Sequence, residues 1–339
     1  MKIGILAFSE RVFCSRRGLC NFFSSTSDEA VLARCKDGAL ESWTAEHFSS
    51  DDALVFIGAA GIAVRAIAPH VKSKLTDPAV VVLDELGTYS VSLLSGHLGG
   101  ANELATRIAR FFSAIPVITT ATDQNGVFSV DSWAKKQGLA IINPERIKWV
   151  SSRLLAGETV LLSSKFPVEG ALPAGIVLTT DSSDILVTWR TRGKAEALKL
   201  VPPVITLGVG CRKDTSAEHF EAAFQLMLKK AGCHPAAVKQ VCSIDLKAGE
   251  PGLVAFCRSH ALPFHTFSAP ALANAPGKFS GSAFVKSVTG VDNVCERSAV
   301  LGCGENGQLL TKKDAEYGIT MALAIEPYTV RFAQEGNEQ

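Results

Sequence analysis

The sequence has almost no excess of charge of either sign. Its 339 residues include 34 Lys and Arg and 33 Asp and Glu, which gives a formal net charge of +1. No basic block interleaved with aromatic side chains occurs, so the signature of a general nucleic-acid-binding protein is absent. No apolar run is long enough to span a bilayer, and residues 1–6 suit a first strand better than a signal peptide. These absences predict a cytoplasmic protein without a nucleic-acid or membrane partner.

Paired cysteine motifs are also missing. None of the nine cysteines belongs to a Cys-x-x-Cys pair, and an odd number argues against a disulfide framework. Cys257, His260 and His265 have a loosely ligand-like spacing, but Pro263 interrupts them. We therefore predict reduced thiols and no metal site.

Nucleotide-binding and serine-hydrolase motifs are absent as well. Gly58-x-x-Gly61 and Gly208-x-Gly210 lack the third glycine of a dinucleotide fingerprint, and no phosphate-binding Gly-x-x-x-x-Gly-Lys-Ser/Thr loop occurs. The Gly-x-Ser-x-Gly elbow of α/β-hydrolases is missing too. Nicotinamide, ATP and serine-nucleophile chemistry are thus disfavoured, and a dehydrogenase would be supported only by the opening residues 2–5.

Strand-like apolar runs alternate with helical patterns along almost the whole chain. This alternation predicts the α/β class with largely parallel sheets, and the length predicts two or three domains. We predict a Rossmann-like three-layer α/β/α N-terminal domain over residues 1–130. A smaller middle α/β module over 131–202 joins it to a second α/β domain over 203–328, and residues 329–339 form a frayed tail.

Four helix starts are predicted in the last third of the chain, one of them with Pro251 in its first turn. Thr215 is expected to cap a helix that ends at Gly232, and residues 289–296 are expected to open a glycine-led helix. Thr311 and Asp314 are expected to cap a final helix that reaches Leu323.

Residues 95–105 carry the most informative motif, with three glycines, a histidine and the start of an amphipathic helix. The order strand, glycine turn, helix leaves backbone N–H groups free to hold a carboxylate, a phosphate or an oxyanion. His97 is the first candidate for a general base because imidazole titrates near neutral pH. A glycine turn that only allows close helix packing is the alternative. The candidate ligand-binding residues of this segment are Gly96, Gly99, Gly100, Asn102 and Glu103.

Three other strand ends carry polar or glycine-rich turns. Asp84 and Glu85 follow one strand, and these carboxylates could orient an imidazole or simply cap a turn. We expect these strand ends to share a crevice at the carboxyl edge of one sheet, where open α/β folds bind ligands. The candidate residues of the other two ends are Gly58, Gly61, Arg65, Thr119 and Thr120.

Arginines at glycine turns suit the binding of carboxylates, because the guanidinium fork contacts both oxygens. Arg65 follows Gly61 by four residues, and Arg212 follows Gly210 by two. A surface salt bridge is the alternative interpretation for both.

Several of these segments resemble a known family. Residues 56–65, 82–87 and 94–105 resemble the N-terminal domain of the cobalt-precorrin-5A hydrolase family of the anaerobic cobalamin pathway. Residues 208–212 and 290–296, which include Gly210, Cys211, Arg212 and Asn293, resemble its C-terminal domain, which also exists as a separate protein. The middle third matches only by position.

The resemblance implies a defined reaction. Water opens the δ-lactone of cobalt-precorrin-5A, and a two-carbon fragment leaves as acetaldehyde to give cobalt-precorrin-5B. The small-molecule cobalt-corrinoid substrate brings its own cobalt, so no added cofactor is implied. A homodimer and transient contacts with other enzymes of the pathway are left open.

Position alone suggests the roles of the site residues. His97 is expected to activate water or move the proton that releases the aldehyde, with Asp84 or Glu85 orienting it. Amides of Gly96, Gly99 and Gly100 are expected to stabilise the charged oxygen, and the other candidates to bind substrate. A noncatalytic carrier of the corrinoid intermediate is the alternative function.

Overall fold

In the computed structural model, the described residues are 1–16, 18–36, 38–73, 76–192 and 196–332. The chain divides into two compact units, Met1–Lys135 and Lys136–Gln339. Within the described ranges, no helix has both the length and the apolar character that crossing a membrane requires.

The first unit is built on a six-stranded sheet with the strand order β2-β1-β3-β4-β5-β6. Its strands are β1 (Lys2–Ala7), β2 (Glu29–Arg34), β3 (Ala53–Ile57), β4 (Ala79–Leu83), β5 (Tyr89–Leu94) and β6 (Ile115–Val117). The helices are α1 (Glu10–Ser15), α2 (Gly18–Ser25), α3 (Leu40–Ser50), α4 (Ala60–Ile67), α5 (Ala101–Phe112), α6 (Ala121–Gln124) and α7 (Val130–Lys136).

Both faces of this sheet are covered by helices. Ile5 and Val55 belong to a buried cluster with Leu104 of α5 on one face. Leu54 belongs to a second cluster with Ile67 of α4 on the other. Successive strand residues point to opposite faces, so apolar runs such as that of β3 supply both clusters. The predicted three-layer α/β/α arrangement is confirmed.

The direction in which β5 runs determines which edge of the sheet the ends of β5 and β6 reach. β4 and β5 are antiparallel, with Val80 opposite Leu94 and Leu83 opposite Ser90, and β6 runs parallel to β5. The connection from Leu83 to Tyr89 is too short for the crossover that a parallel pair needs. The carboxyl ends of β5 and β6 therefore lie at the opposite edge from those of β3 and β4. The predicted common crevice is wrong.

The second unit contains two five-stranded sheets, with the orders β10-β8-β11-β12-β7 and β15-β14-β13-β17-β16, and a two-stranded pair of β9 and β18. Its first strands are β7 (Ala140–Ile141), β8 (Val160–Ser164), β9 (Val168–Glu169), β10 (Ile176–Leu178), β11 (Ile185–Val187) and β12 (Leu198–Val201). The others are β13 (Ile205–Cys211), β14 (Val238–Ile244), β15 (Phe264–Phe267), β16 (Gln308–Glu316), β17 (Ile319–Ile325) and β18 (Val330–Arg331). The helices are α8 (Glu145–Leu155), α9 (Ala217–Ala231), α10 (Pro251–Ser259), α11 (Ala269–Ala273), α12 (Ala283–Thr289) and α13 (Cys295–Gly302), with 3-10 segments at Pro235–Ala237 and Asp245–Lys247.

The predicted final helix is wrong. Thr311 and Asp314 lie in β16, and Leu323 lies in β17, which pairs with β16 in antiparallel orientation. Tyr317 and Gly318 both have positive φ, +53° and +77°, as a tight hairpin turn requires. The turn residues and the apolar run of β17, buried between two strands, outweigh the helix-cap pattern.

Three smaller predictions are also corrected. Gly290, at φ +80°, ends α12 instead of opening a helix, and the next helix begins only at Cys295. Ser216, not Thr215, caps α9, and its side chain accepts a hydrogen bond from the N–H of His219. The expected frayed tail includes Val330, which is fully buried in β18. The rest of that tail, residues 333–339, lies outside the described residues.

The two five-stranded sheets of the second unit share one hydrophobic cluster. Trp189 and Val201, from the predicted middle module, belong to the same cluster as Phe220 and Phe256 of α9 and α10. The shared core explains why both parts fall into one compact unit. The finer division at residues 131 and 203 stays a prediction.

Candidate active site

The loop of residues 95–100 joins β5 to α5 in a tight turn. The N–H of Ala101 donates to the carbonyl of Ser95 at 3.2 Å, and that of Asn102 donates to the carbonyl of Gly96 at 3.0 Å. A Cβ added at Gly99 would lie 2.3 Å from Cβ and 2.6 Å from the carbonyl oxygen of Ser95. Only glycine fits there. Ser95 itself has φ +57°, a left-handed conformation that is unusual for serine.

This loop carries free hydrogen-bond donors. Among the described residues, the backbone N–H groups of residues 96–100 have no acceptor. Gly100, the N-cap of the twelve-residue helix α5, has φ +92° and no side-chain cap. The helix dipole adds partial positive charge at the same end. The loop can therefore hold an anion, as the glycine pattern predicts.

His97 lies between two carboxylates. Its Nε2 is 2.7 Å from Oδ2 of Asp123, and its Nδ1 is 3.5 Å from Oδ1 of Asp131. The side chain of Asp123 is 41% exposed, whereas those of His97 and Asp131 are 17% and 8% exposed. Asp123 is thus the member of the group that solvent or a ligand reaches.

These contacts change the titration of the imidazole. Hydrogen bonding to Asp131 is the largest effect on His97 and, together with Asp123, outweighs burial and raises the pKa of His97 to about 9. Burial by itself would raise the pKa of Asp131, but hydrogen bonds from His97 and Ser129 lower it to about 2. At neutral pH His97 is an imidazolium, so it has no free lone pair to act as a base.

A polar network fixes the exposed carboxylate. Nδ2 of Asn102 donates to Oδ2 of Asp123 at 2.8 Å and to Oγ1 of Thr120 at 3.1 Å. The hydroxyl of Thr120 also donates to Asp123. Ser92 of β5 donates to Oδ1 of Asn102 at 2.7 Å, which sets the orientation of the Asn102 amide. Asp123 is thereby held beside the loop amides.

Lys135 adds a cation to the same loop. Its Nζ donates to the carbonyl of Leu98 at 2.8 Å and to that of Gly99 at 3.4 Å. These contacts turn the two carbonyls toward the lysine. The peptide groups of the loop therefore have a fixed orientation.

Asp84 and Glu85 lie at the other edge of the sheet. Asp84 accepts hydrogen bonds from the N–H groups of Leu86 at 3.2 Å and Tyr89 at 2.5 Å, so it stabilises its own turn. The six residues of β5 separate this turn from His97, a length of about 20 Å at about 3.4 Å per residue. The prediction that Asp84 or Glu85 orients His97 is wrong, because Asp123 and Asp131 occupy that role.

The glycine turn after β3 lies at the same edge as Asp84. Arg65 is exposed and donates to the carbonyl of Gly61 at 3.3 Å. A Cβ at Gly58 would lie 2.7 Å from the ring of Phe8, so this glycine is required for packing. Binding of substrate carboxylates by this turn stays a prediction.

Three candidates of the first unit remain. Thr120 belongs to the His97 site through its hydrogen bonds with Asn102 and Asp123. Glu103 is exposed in the first turn of α5, and Thr119 is exposed after β6. Their predicted contacts with substrate remain predictions.

The predicted residues of the second unit lie on β13 and before α13. Burial raises the pKa of the Cys211 thiol to about 11, so this thiol is not an activated nucleophile. Arg212 is exposed. A Cβ at Gly210 would lie 2.6 Å from Oγ1 of Thr320. Asn293 is buried and holds the carbonyl of Ser280 at 2.9 Å, a contact that supports the loop.

Sequence reasoning missed Asp123, Asp131 and Lys135. Asp123 lies in α6, in the hydroxyl-rich segment that follows β6, and that segment was a usable signal. Asp131 and Lys135 lie on α7, and only the fold brings them to the loop. In the described part of the chain, no group of three or more His, Cys, Asp or Glu side chains is arranged to hold a metal ion.

Two family models match the chain. The model described as Cobalamin synthesis G N-terminal matches residues 42–123, and the model described as Cobalamin synthesis G C-terminus matches residues 205–324. The first match contains His97, Asn102, Thr120 and Asp123, whereas Asp131 lies beyond its end.

Relatives match over most of the chain. A cobalt-precorrin-5A hydrolase of Salmonella typhimurium is 36% identical over 304 residues, which cover 85% of this chain and 86% of the relative. A cobalt-precorrin-5A hydrolase of Priestia megaterium is 33% identical over 302 residues, covering 83% and 80%. The crystal structure of a cobalamin biosynthesis protein G homolog from Sulfolobus solfataricus is 24% identical, covers 96% of this chain and 97% of its own, and has a TM-score of 0.43.

Proposed function

Because this chain belongs to the cobalt-precorrin-5A hydrolase family, we propose that it opens the δ-lactone of cobalt-precorrin-5A with water and releases acetaldehyde. The product is cobalt-precorrin-5B. The similarity to two relatives with this name, over 85% and 83% of this chain, supports the reaction. The observation that supports the location of the chemistry is the exposed carboxylate of Asp123, paired with an imidazolium beside five free backbone N–H groups.

In the first step, Asp123 takes a proton from the water that attacks the lactone carbonyl. The carbonyl oxygen becomes an oxyanion, and the amides of residues 96–100 together with the His97 imidazolium stabilise its charge. The carbon–oxygen bond of the lactone then breaks. The protonated Asp123 returns its proton to the leaving oxygen, so the step yields a carboxylic acid and an alcohol, and the acid then loses its proton.

In the second step, Asp123 removes the proton of the new hydroxyl group. The alkoxide collapses to the aldehyde, the carbon–carbon bond to the macrocycle breaks, and its electron pair stays on the conjugated ring. Acetaldehyde leaves, the proton held by Asp123 passes to solvent and regenerates the carboxylate, and no external oxidant or reductant is needed. Both steps use the carboxylate of Asp123 as the base. The hydrogen bonds from Asn102 and Thr120 hold this carboxylate in one orientation for both steps.

His97 and Asp131 act through charge in this scheme. The His97 imidazolium lies beside the developing oxyanion, and Asp131 keeps it protonated. The role first predicted for His97, the activation of water, therefore passes to Asp123. His97 remains a proposed catalytic residue as an electrostatic stabiliser.

The binding of substrate carboxylates by Arg65, Arg212, Gly58, Gly61 and Gly210 stays a prediction and has no part in this scheme. We also propose that no added cofactor takes part, since the substrate carries the cobalt. The cytoplasmic location, a homodimer and contacts with other pathway enzymes stay predictions.

The test is an assay of the purified chain with cobalt-precorrin-5A, in which acetaldehyde is measured as it forms. Stoichiometric acetaldehyde with many turnovers per chain is the expected result. A noncatalytic carrier would bind the corrinoid, visible as a change in its absorption spectrum, without releasing aldehyde. That outcome would reject the enzymatic function.

A further inference from the structure

Lys135 of α7 binds the carbonyl side of the glycine loop at residues 95–100. Its Nζ donates to the carbonyl of Leu98 at 2.8 Å and to that of Gly99 at 3.4 Å. In the described part of the chain, this ammonium has no carboxylate within salt-bridge distance. A Cβ added at Gly100 would lie 3.6 Å from the same Nζ. An uncompensated positive charge is therefore held against three consecutive residues of the loop.

The two bound carbonyls determine where the next two amides point. The carbonyl of Leu98 shares a peptide group with the N–H of Gly99, and the carbonyl of Gly99 shares one with the N–H of Gly100. A peptide group is planar and, throughout the described residues, trans, so its N–H points away from its C=O. The N–H groups of Gly99 and Gly100 therefore point away from Lys135, and neither has an acceptor among the described residues.

The charge of Lys135 also strengthens these two donors. Hydrogen bonds in series polarise one another, and a bond from an ammonium is stronger than one from a neutral donor. A carbonyl that accepts from Lys135 draws electron density from the N–H of the same peptide group, which makes that N–H a better donor. The amides of Gly99 and Gly100 are thus both oriented and polarised for binding a negatively charged oxygen.

The packing of α7 fixes the position of the lysine. Val130 and Ala134 of this helix are fully buried. Asp131 and Lys135 each follow one of these residues, and because they are four residues apart they lie on one face of the helix. Asp131 lies 3.5 Å from Nδ1 of His97, so this face of α7 contacts both the imidazolium and the loop carbonyls. All of these residues belong to the first unit.

We propose that Lys135 is a positioning residue of the reaction, which orients and polarises the amides of Gly99 and Gly100 toward the oxyanion of the opening lactone. The inference rests on the proposed function. Lys135 lies on the carbonyl side of these peptide groups and the oxyanion on their N–H side, so the lysine acts through the amides and does not contact the substrate. Because the oxyanion exists only during the reaction, loss of the lysine lowers kcat and leaves KM nearly unchanged.

The kinetic test compares three variants of the full chain by acetaldehyde release from cobalt-precorrin-5A. K135M removes the ammonium, and we expect kcat to fall about 10- to 100-fold while KM changes less than about twofold. K135R keeps the charge and the hydrogen-bond donors, so its kcat should recover to within about threefold of the parental value. The matched control is K136M, which should keep the parental kcat. Lys136 is the next residue of α7, is also exposed and has no hydrogen bond or ion pair with a described residue.

A second measurement follows the amides themselves by NMR in chains that contain isotope-labelled glycine. Inorganic phosphate serves as the anion probe, and the amide signals of Gly99 and Gly100 should shift when it is added to the parent chain. We expect this response to be lost or much reduced in K135M and kept in K136M. This readout does not depend on the reaction.

Other outcomes decide against the proposal. Parental kcat in K135M overturns it, as does an equal loss of kcat in K136M, which would assign the effect to the general field of positive charge. A loss of kcat in K135M with the two amide signals and their response to phosphate unchanged also overturns it. Should the parent release no acetaldehyde, the proposed function fails and the phosphate response decides on Lys135. A response altered only in K135M supports the positioning of the amides, and an identical response in the parent, K135M and K136M overturns it.

Discussion

Oδ2 of Asp123 lies 2.7 Å from Nε2 of His97, and this contact joins an exposed carboxylate to a largely buried positive charge. Asp131 lies on the other side of the imidazole. The exposed carboxylate of Asp123 thus contacts the His97 imidazolium, and Asp131 stabilises the positive charge of that imidazolium. Such an arrangement keeps a base in one orientation next to a source of positive charge, which is what lactone opening requires.

Replacement of Asp123 with asparagine tests the proposed base. The variant keeps the size of the side chain and a hydrogen-bonding oxygen but cannot accept a proton. We expect kcat for acetaldehyde release to fall about 10²- to 10⁴-fold with a small change in KM. D181N, which alters an exposed aspartate of the second unit, should leave both constants unchanged. Near-parental kcat in a folded D123N would remove Asp123 from the chemistry.

The pH dependence should follow the charge of His97. Its pKa is raised to about 9, so the imidazolium is present below that pH and lost as the pH rises through it. We expect kcat/KM to decline above about pH 9 in the parent chain. In D131N the main cause of the raised pKa is gone, so this alkaline limb should move toward the ordinary value of 6.5.

The second unit supplies a matched control for that shift. His260 is paired with Glu221 at 2.5 Å, so E221Q also removes the carboxylate partner of a histidine. Its pH profile should coincide with that of the parent. An alkaline limb that stays in place in D131N would contradict the role of Asp131. NMR titration of His97 in both chains would then show whether the pKa of His97 itself changes.

The local motifs of the fold were predictable because each depends on neighbours in the chain. The apolar runs of β1, β3 and β4 and the glycine turn before α5 were found from the sequence. The antiparallel direction of β5 was not found, although the connection from Leu83 to Tyr89 is too short for a crossover and was a usable signal. This direction decides which side chains meet. It places Asp84 and His97 at opposite edges although both follow strands of one sheet.

The partners of His97 show the same limit. Asp123 and Asp131 lie 26 and 34 residues beyond it in the sequence, and α6 and α7 bring them back to the loop. Most carboxylates that follow a strand cap a turn, and Asp84 does so. The sequence does not distinguish Asp123 from such turn-capping carboxylates. Its contact with His97 does.

The role of Asp84 in its turn gives a prediction with a different readout. D84A removes the acceptor of the N–H groups of Leu86 and Tyr89, and we expect the free energy of unfolding to fall by about 1 kcal/mol. The pH profile of kcat/KM should not change, because His97 lies about 20 Å away along β5. Chemical denaturation measures the first effect, and the acetaldehyde assay the second. A shift of the alkaline limb in D84A would show that the two edges of the sheet are coupled.

The tight turn at Gly99 gives the last prediction. In G99A the new Cβ would meet the carbonyl oxygen of Ser95 at 2.6 Å, and backbone cannot yield as a flexible side chain does. The loop must shift, so the amides of residues 96–100 lose their alignment with the oxyanion, and we expect kcat to fall about 10²-fold or more. G138A, at a glycine with φ +66° and no atom within 4 Å of the added Cβ, should cost about 1 kcal/mol of stability and leave kcat unchanged. Because both variants add one methyl group, a loss of activity confined to G99A assigns the effect to loop geometry, whereas equal activity in the two would mean that these amides do not take part in the reaction.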